Sequence, residues 1–148
     1  MMVSAKFAMV SLLLVAAAAP ASARETVIQM RNKGSAGIMV FEPAYVSAAV
    51  GDTIKFVPTD PGHSAEPVAG MLPAGVALPA GKVNQEYTVK LTKAGLYGFK
   101  CPPHYGMGMV ALVKAGPGKA ANLAAVQGVK TPPLAAKRFT PLIAQAAN

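Results

Sequence analysis

Between residues 25 and 114 apolar side chains recur at alternate positions in short bursts. Tyr87, Val89 and Leu91 would share one face of an extended segment while Thr88 and Lys90 take the other, the period of a half-buried strand. The runs TVIQM, GIMVFEP, AYVSA, DTIKFVP, EYTVKL, GLYGFK and MVALVKA all have this strand character. Turn-forming clusters separate them: AVGD (Ala49 to Asp52), TDPGH (Thr59 to His63) and KAG (Lys93 to Gly95). Short strands broken at intervals of roughly eight to twelve residues predict an antiparallel sandwich or barrel. The Gly- and Pro-rich segment Val68 to Lys82 is poor strand material and is expected to cross from one sheet to the other.

After Gly116-Pro117-Gly118 the period changes. Leu123 and Val126, then Leu134, Phe139, Leu142 and Ile143, fall near helical spacing, which predicts two short helices packed on the sandwich. Gly128 is the expected stop of the first. Thr131 is the expected N-cap of the second, and Pro141 is expected to bend or divide it.

The other end of the chain reads differently again. Lys6, an apolar run from Phe7 to Ala19 and an Ala21-Ser22-Ala23 site form a secretory leader, with cleavage expected between Ala23 and Arg24. The run is short of the ~20 residues of a comfortable membrane span, so an exported periplasmic protein without membrane insertion is expected. The expected division is a leader at 1–23, a sandwich at 24–115 and a helical extension at 116–148.

Fourteen Lys and Arg stand against six Asp and Glu, and losing Lys6 with the leader lowers the formal charge from +8 to +7. The cations are scattered, with no arginine-rich segment and no basic stripe interleaved with aromatics. Nucleic acid is therefore not an expected partner; the plain reading of the charge is a solvated positive surface that aids solubility, and an acidic protein partner is the sharper alternative.

Export puts the chain where disulfides form, yet it has a single cysteine, Cys101, and only two histidines, His63 and His104. Cys101, His104 and Met109 stand at C-x2-H-x4-M spacing in the turn between two expected strands, and His63 sits at the tip of PGHSAEP. Each has a plainer reading alone: His63 as a surface turn residue, Met107 and Met109 as core filler. Together, thiolate, two imidazoles and a thioether are the donor set of a blue-copper electron-transfer site. Zinc is the competing metal, although it prefers four donors without a thioether. A histidine-activated cysteine nucleophile is the competing enzyme reading.

IQMRNKGSAGIMVFEPAYV, GDTIKFVPTDPGHSAE, EYTVKLTKAGLYGFKCPPHYGMGMVALV and the two terminal helices together resemble the cupredoxins over essentially the whole chain after the leader. The resemblance implies a mainly β fold, a Greek-key sandwich of about eight strands with two short C-terminal α-helices. It implies one copper ion cycling between Cu(II) and Cu(I), held by His63, Cys101, His104 and Met109. Met107 lies six residues after Cys101 and Met109 eight; the HYGMGM loop resembles members that use the longer spacing, hence Met109. Met39 matches a position that packs near the exposed ligand imidazole. Ser64 stands where asparagine is common, its backbone N–H still able to reach the cysteine sulfur. Pro102 stands where threonine or serine is frequent, which implies fewer N–H donors near the thiolate and a stiffer loop.

The edge of His104 is expected to serve as the electron port, within an apolar collar of Pro103, Met39 and Met107, with Lys33, Lys82 and Lys100 steering an acidic partner. The implied role is a monomeric one-electron carrier, not an enzyme. Nitrite reductase is the implied acceptor, and a cytochrome or quinol-oxidising complex the implied donor. Periplasmic copper delivery is the alternative.

Overall fold

The computed structural model describes residues 22–148, so the expected leader, apart from Ser22 and Ala23, lies outside the described residues. Eight strands follow: β1 (Glu25–Gly34), β2 (Gly37–Glu42), β3 (Tyr45–Ala48), β4 (Thr53–Pro58), β5 (Glu66–Pro67), β6 (Tyr87–Lys90), β7 (Gly95–Lys100) and β8 (Val110–Ala115). They form two four-stranded sheets, ordered β2-β1-β4-β6 and β3-β8-β7-β5. A 3-10 helix (Pro102–Met107) joins β7 to β8, and helices α1 (Leu123–Gly128) and α2 (Pro133–Ala147) complete the chain.

Alternation explains the inner faces. In β6, Tyr87 and Val89 are buried while Thr88 and Lys90 are exposed, and in β4 Ile54 and Phe56 point inward. These side chains meet Ile28, Met30, Phe41, Tyr97 and Phe99 between the sheets. Phe56 stands 5.4 Å from Phe41 and 4.8 Å from Phe99, ring centre to ring centre. Strands β7 and β8 depart from alternation and are buried on both faces. Tyr97, Phe99, Ala111 and Val113 face the inter-sheet core, while Leu96, Val110 and Leu112 form a second core with Leu123, Val126, Ala135 and Phe139 of the helices. Asn122 fixes the start of α1 to β7 by a pair of bonds: its Oδ1 accepts from the Leu96 N–H at 2.8 Å and its Nδ2 donates to the Leu96 carbonyl at 2.9 Å.

Several expectations need correction. The sandwich is not purely antiparallel: β1 runs parallel to β4, and β3 parallel to β8. Two strands separate β1 from β4 in the chain and four separate β3 from β8, so these neighbours are not hairpin partners. The two-residue β5 was not among the runs with strand character, because Pro67 lacks an N–H and its segment reads as loop. The segment after it does cross from the second sheet to the first, joining β5 to β6. Thr131 does not cap α2. The N-cap position is Pro132, whose carbonyl accepts the Ala136 N–H at 2.8 Å, and Pro133 begins the helix where its missing N–H is not needed. Nor does Pro141 divide α2, which is continuous over fifteen residues. Pro141 and Lys137 are both exposed, so water can satisfy the carbonyl that Pro141 leaves free.

The hairpin of β1 and β2 carries a polar clasp. The Glu42 carboxylate accepts from the Ser35 N–H and hydroxyl, both at 2.8 Å, and from Arg31 Nη1 at 2.6 Å. Gly34 leaves the room: a Cβ there would fall 2.7 Å from Val40 and 2.9 Å from Glu42 Oε1. The Ser35 backbone N–H first, then its hydroxyl and Arg31, hold the Glu42 carboxyl down at about 2 against an ordinary 4.5.

A folded-state value below the unfolded one stabilises the fold above pH 4.5, and that contribution fades as pH falls towards 2. Glu42→Gln therefore lowers the melting temperature at neutral pH, and its deficit against the parent closes across that window in a pH series of thermal melts. Phe139→Ala, which empties a buried site between α2 and β8, costs about 3–5 kcal/mol in denaturant unfolding.

Candidate metal centre

Two loops at one end of the sandwich bring the chain's only thiol and both imidazoles together. Cys101 Sγ lies 3.7 Å from His63 Nδ1 and 3.5 Å from His104 Nδ1, and the two Nδ1 atoms are 3.1 Å apart. Cys101 and His63 are buried and His104 is half-buried. Met109 is fully buried in the same core cluster as Cys101.

The His63 loop is held from three sides. Asn84, in the left-handed region at φ 61°, accepts the Gly62 N–H on its Oδ1 at 2.6 Å and donates its own N–H to the His63 carbonyl at 2.8 Å. Asp60 accepts the Asn32 N–H at 2.7 Å. Asn32 Oδ1 meets His63 Nε2 at 2.9 Å. A carbonyl oxygen can only accept, so Nε2 carries the proton and Nδ1 presents a bare lone pair to the site.

The other loop is closed by backbone bonds. Cys101 N–H donates to the Met109 carbonyl at 3.0 Å, Met109 N–H to the His104 carbonyl at 3.1 Å, and His104 N–H to the Cys101 carbonyl at 3.1 Å. Pro102 and Pro103 open the 3-10 helix, where N–H groups have no helical partner, so two prolines disrupt nothing there. The sulfur retains donors: burial pushes the Cys101 thiol above its ordinary value, and the backbone N–H groups of Ser64 and His104 pull the other way. Burial likewise pushes His63 down, aided by the neighbouring His104 and opposed by Asp60.

This donor set fits copper. Two imidazole Nδ1 atoms and a sulfur gathered within 4.8 Å of one another, with a buried thioether close in the chain, are soft and few. Structural zinc would need a fourth nitrogen, oxygen or thiolate donor, and among the described residues the cluster holds none beyond His63, Cys101 and His104. The nucleophile reading fails on exposure, since Cys101 is fully buried and its thiol is held up rather than down.

Around His104, Pro102, Pro103 and Met107 are exposed. Met39 adopts φ 49° and packs, half-buried, against the core that contains Cys101 and Met109. Lys33 and Lys82 are exposed and take part in no ion pair among the described residues. Lys100 is already engaged within the chain. Its ammonium pairs with Glu66 at 3.2 Å and lies 4.9 Å from the centre of the Tyr105 ring, which leaves little free charge for a partner. Asn32, Asn84 and Arg138, all bonded to the site's loops, were not singled out by the sequence. Only Asn84 carried a local signal, as a turn-forming residue after the Gly- and Pro-rich crossing.

Metal uptake must remove the Cys101 proton, so apparent copper affinity of the apo-protein rises about tenfold per pH unit below the thiol's raised value. Competition titrations at about pH 6 and about pH 8 should differ by at least that factor per unit, with one proton released per ion.

A family model described as copper binding proteins, plastocyanin/azurin family, matches residues 28–116. The chain is 50% identical over 131 residues to a pseudoazurin of Methylorubrum extorquens, covering 88% of each chain. It is 48% identical over 132 residues to a pseudoazurin of Paracoccus pantotrophus, covering 89% of this chain and 90% of that one. The refined crystal structure of pseudoazurin from Methylobacterium extorquens AM1 superposes with a TM-score of 0.78 at 50% identity, over 82% of this chain and 98% of that chain.

Proposed function

The chain belongs to the pseudoazurins of the plastocyanin/azurin copper-binding family, and from that premise we propose that it is a periplasmic one-electron carrier serving a respiratory reductase. The observation that carries this reading is the convergence of His63, Cys101 and His104 beneath a half-buried imidazole edge. His63, Cys101, His104 and Met109 would hold the ion, two imidazoles and a thiolate joined by the thioether of Met109. Bound copper supplies the Cu(II)/Cu(I) couple.

The protein's part is to keep its donors still. A carrier that must reorganise ligands at each transfer is slow, and here every donor backbone is tied by hydrogen bonds that do not involve the ion. His104 is the half-exposed imidazole, so an electron leaves or enters through its edge. Pro102, Pro103 and Met107 give it an apolar rim suited to brief contact, and Met39 would tune that imidazole from behind. Free charge at Lys33 and Lys82 lies beside the loops that fix His63, since Asn32 and Asn84 are their near neighbours in the chain. Such charge speeds encounter with an acidic protein without prolonging it. A nitrite reductase as acceptor and a cytochrome or quinol-oxidising complex as donor have the matching role. The leader pattern supports export, and the fully engaged donor set supports a carrier that keeps its copper rather than an enzyme or a delivery protein.

Loading the chain from Arg24 with Cu(II) should give an intense thiolate-to-copper band that bleaches with ascorbate and returns on oxidation, with copper retained throughout. Cys101→Ser abolishes the band and Met109→Ala shifts it. Loss of copper on reduction would favour delivery instead. With a nitrite reductase as acceptor, the double variant Lys33→Glu/Lys82→Glu lowers the second-order rate constant about tenfold at low salt, and the gap narrows as salt rises.

A further inference from the structure

The guanidinium of Arg138, on α2, reaches three backbone carbonyls from distant parts of the chain. Nη1 donates to the Met39 carbonyl at 2.6 Å and to the Gly108 carbonyl at 3.0 Å, and Nη2 donates to the Ile38 carbonyl at 2.8 Å. No carboxylate pairs with it among the described residues. Charge-assisted bonds of this kind are stronger than neutral ones, and the rigid planar fork of arginine holds its acceptors in a fixed geometry that a lysine ammonium does not impose.

Gly108 is not an ordinary partner. Its carbonyl belongs to the peptide whose nitrogen is that of Met109, and the N–H at the other end of that peptide donates to the His104 carbonyl at 3.1 Å. The peptide preceding Met109 is thus gripped on one side by the ligand loop and on the other by α2. Gly108 sits at φ 86°, and a Cβ there would fall 2.8 Å from the Leu134 carbonyl, so the helix presses directly on this turn. The same nitrogen holds the Met39 carbonyl, in a residue whose left-handed φ of 49° is costly for a side chain other than glycine.

We propose that Arg138 is a positioning residue of the copper site: by clamping the Gly108–Met109 peptide to the Ile38–Met39 stretch of β2, it sets where the Met109 thioether lies and so tunes the site. The inference rests on the four-residue copper site proposed above.

The test compares Arg138→Lys and Arg138→Ala with the parent in the copper-loaded protein, reading the ratio of the two visible thiolate-to-copper bands and the midpoint potential. Phe139→Leu, which loosens the same helix without touching the clamp, is the control. Both Arg138 variants should shift the band ratio and the potential, while Phe139→Leu lowers the melting temperature and leaves the bands in place. Unchanged bands and potential in Arg138→Lys would overturn the proposal even if Arg138→Ala failed to fold, because charge alone would then suffice. An equal band shift in Phe139→Leu would overturn it too, by making the effect one of general loosening. A parent that shows no thiolate-to-copper band would instead remove the copper reading itself, a separate and recognisable failure.

Discussion

Two imidazole nitrogens and a thiol sulfur, spaced 3.1, 3.5 and 3.7 Å apart in a largely buried site, are the constraint around which this protein is arranged. Donor atoms this close need a proton or a cation between them, and a low-dielectric surrounding does little to screen their mutual repulsion. A cation relieves all three at once. Because Asn32 holds the His63 proton on Nε2, that imidazole cannot resolve the conflict by turning its N–H inward. The fold therefore has to supply the rigidity that keeps the donors facing one another, and much of the polar bonding at this end of the sandwich can be understood in that way.

The two halves of the site are held by different means. His63 stands on a loop whose neighbours are polar side chains, Asn32, Asp60 and Asn84, each committed to a single bond geometry. Cys101, His104 and Met109 share one short loop closed by its own backbone, with prolines where missing donors cause no loss. The first arrangement fixes one imidazole far from solvent. The second leaves His104 half-exposed on a stiff turn, so the same constraint that gathers the donors also leaves one imidazole near the surface.

The sequence revealed the parts that are local. Period-two alternation marked β4 and β6, and the change of period after Gly116-Pro117-Gly118 marked both helices. The three donors were legible because the chain has no other cysteine or histidine. The parallel pairing of β1 with β4 and β3 with β8 was not legible, since it depends on which sheet the chain re-enters and not on any residue pattern. Lys100 looked like free surface charge, but Glu66 faces it only once β5 pairs with β7. Arg138 was the least visible of all. A helical arginine reads as a solvated cation, and its acceptors are carbonyls roughly 30 and 100 positions away, on residues whose identity says nothing about them.

That last gap bears on why the helices are there. Strands β7 and β8 carry apolar residues on both faces, and without α1 and α2 the outer set, Leu96, Val110 and Leu112, would be bare to solvent. Covering that face is reason enough for a helical extension. Yet β8 begins immediately after Met109, so a helix laid across it unavoidably lies against the ligand loop, and the contact of Leu134 and Arg138 with Gly108 follows from that placement. Packing the outer core and bracing the site are consequently one act: the helix that buries Phe139 brings the residue before it, Arg138, within reach of the peptide that carries Met109.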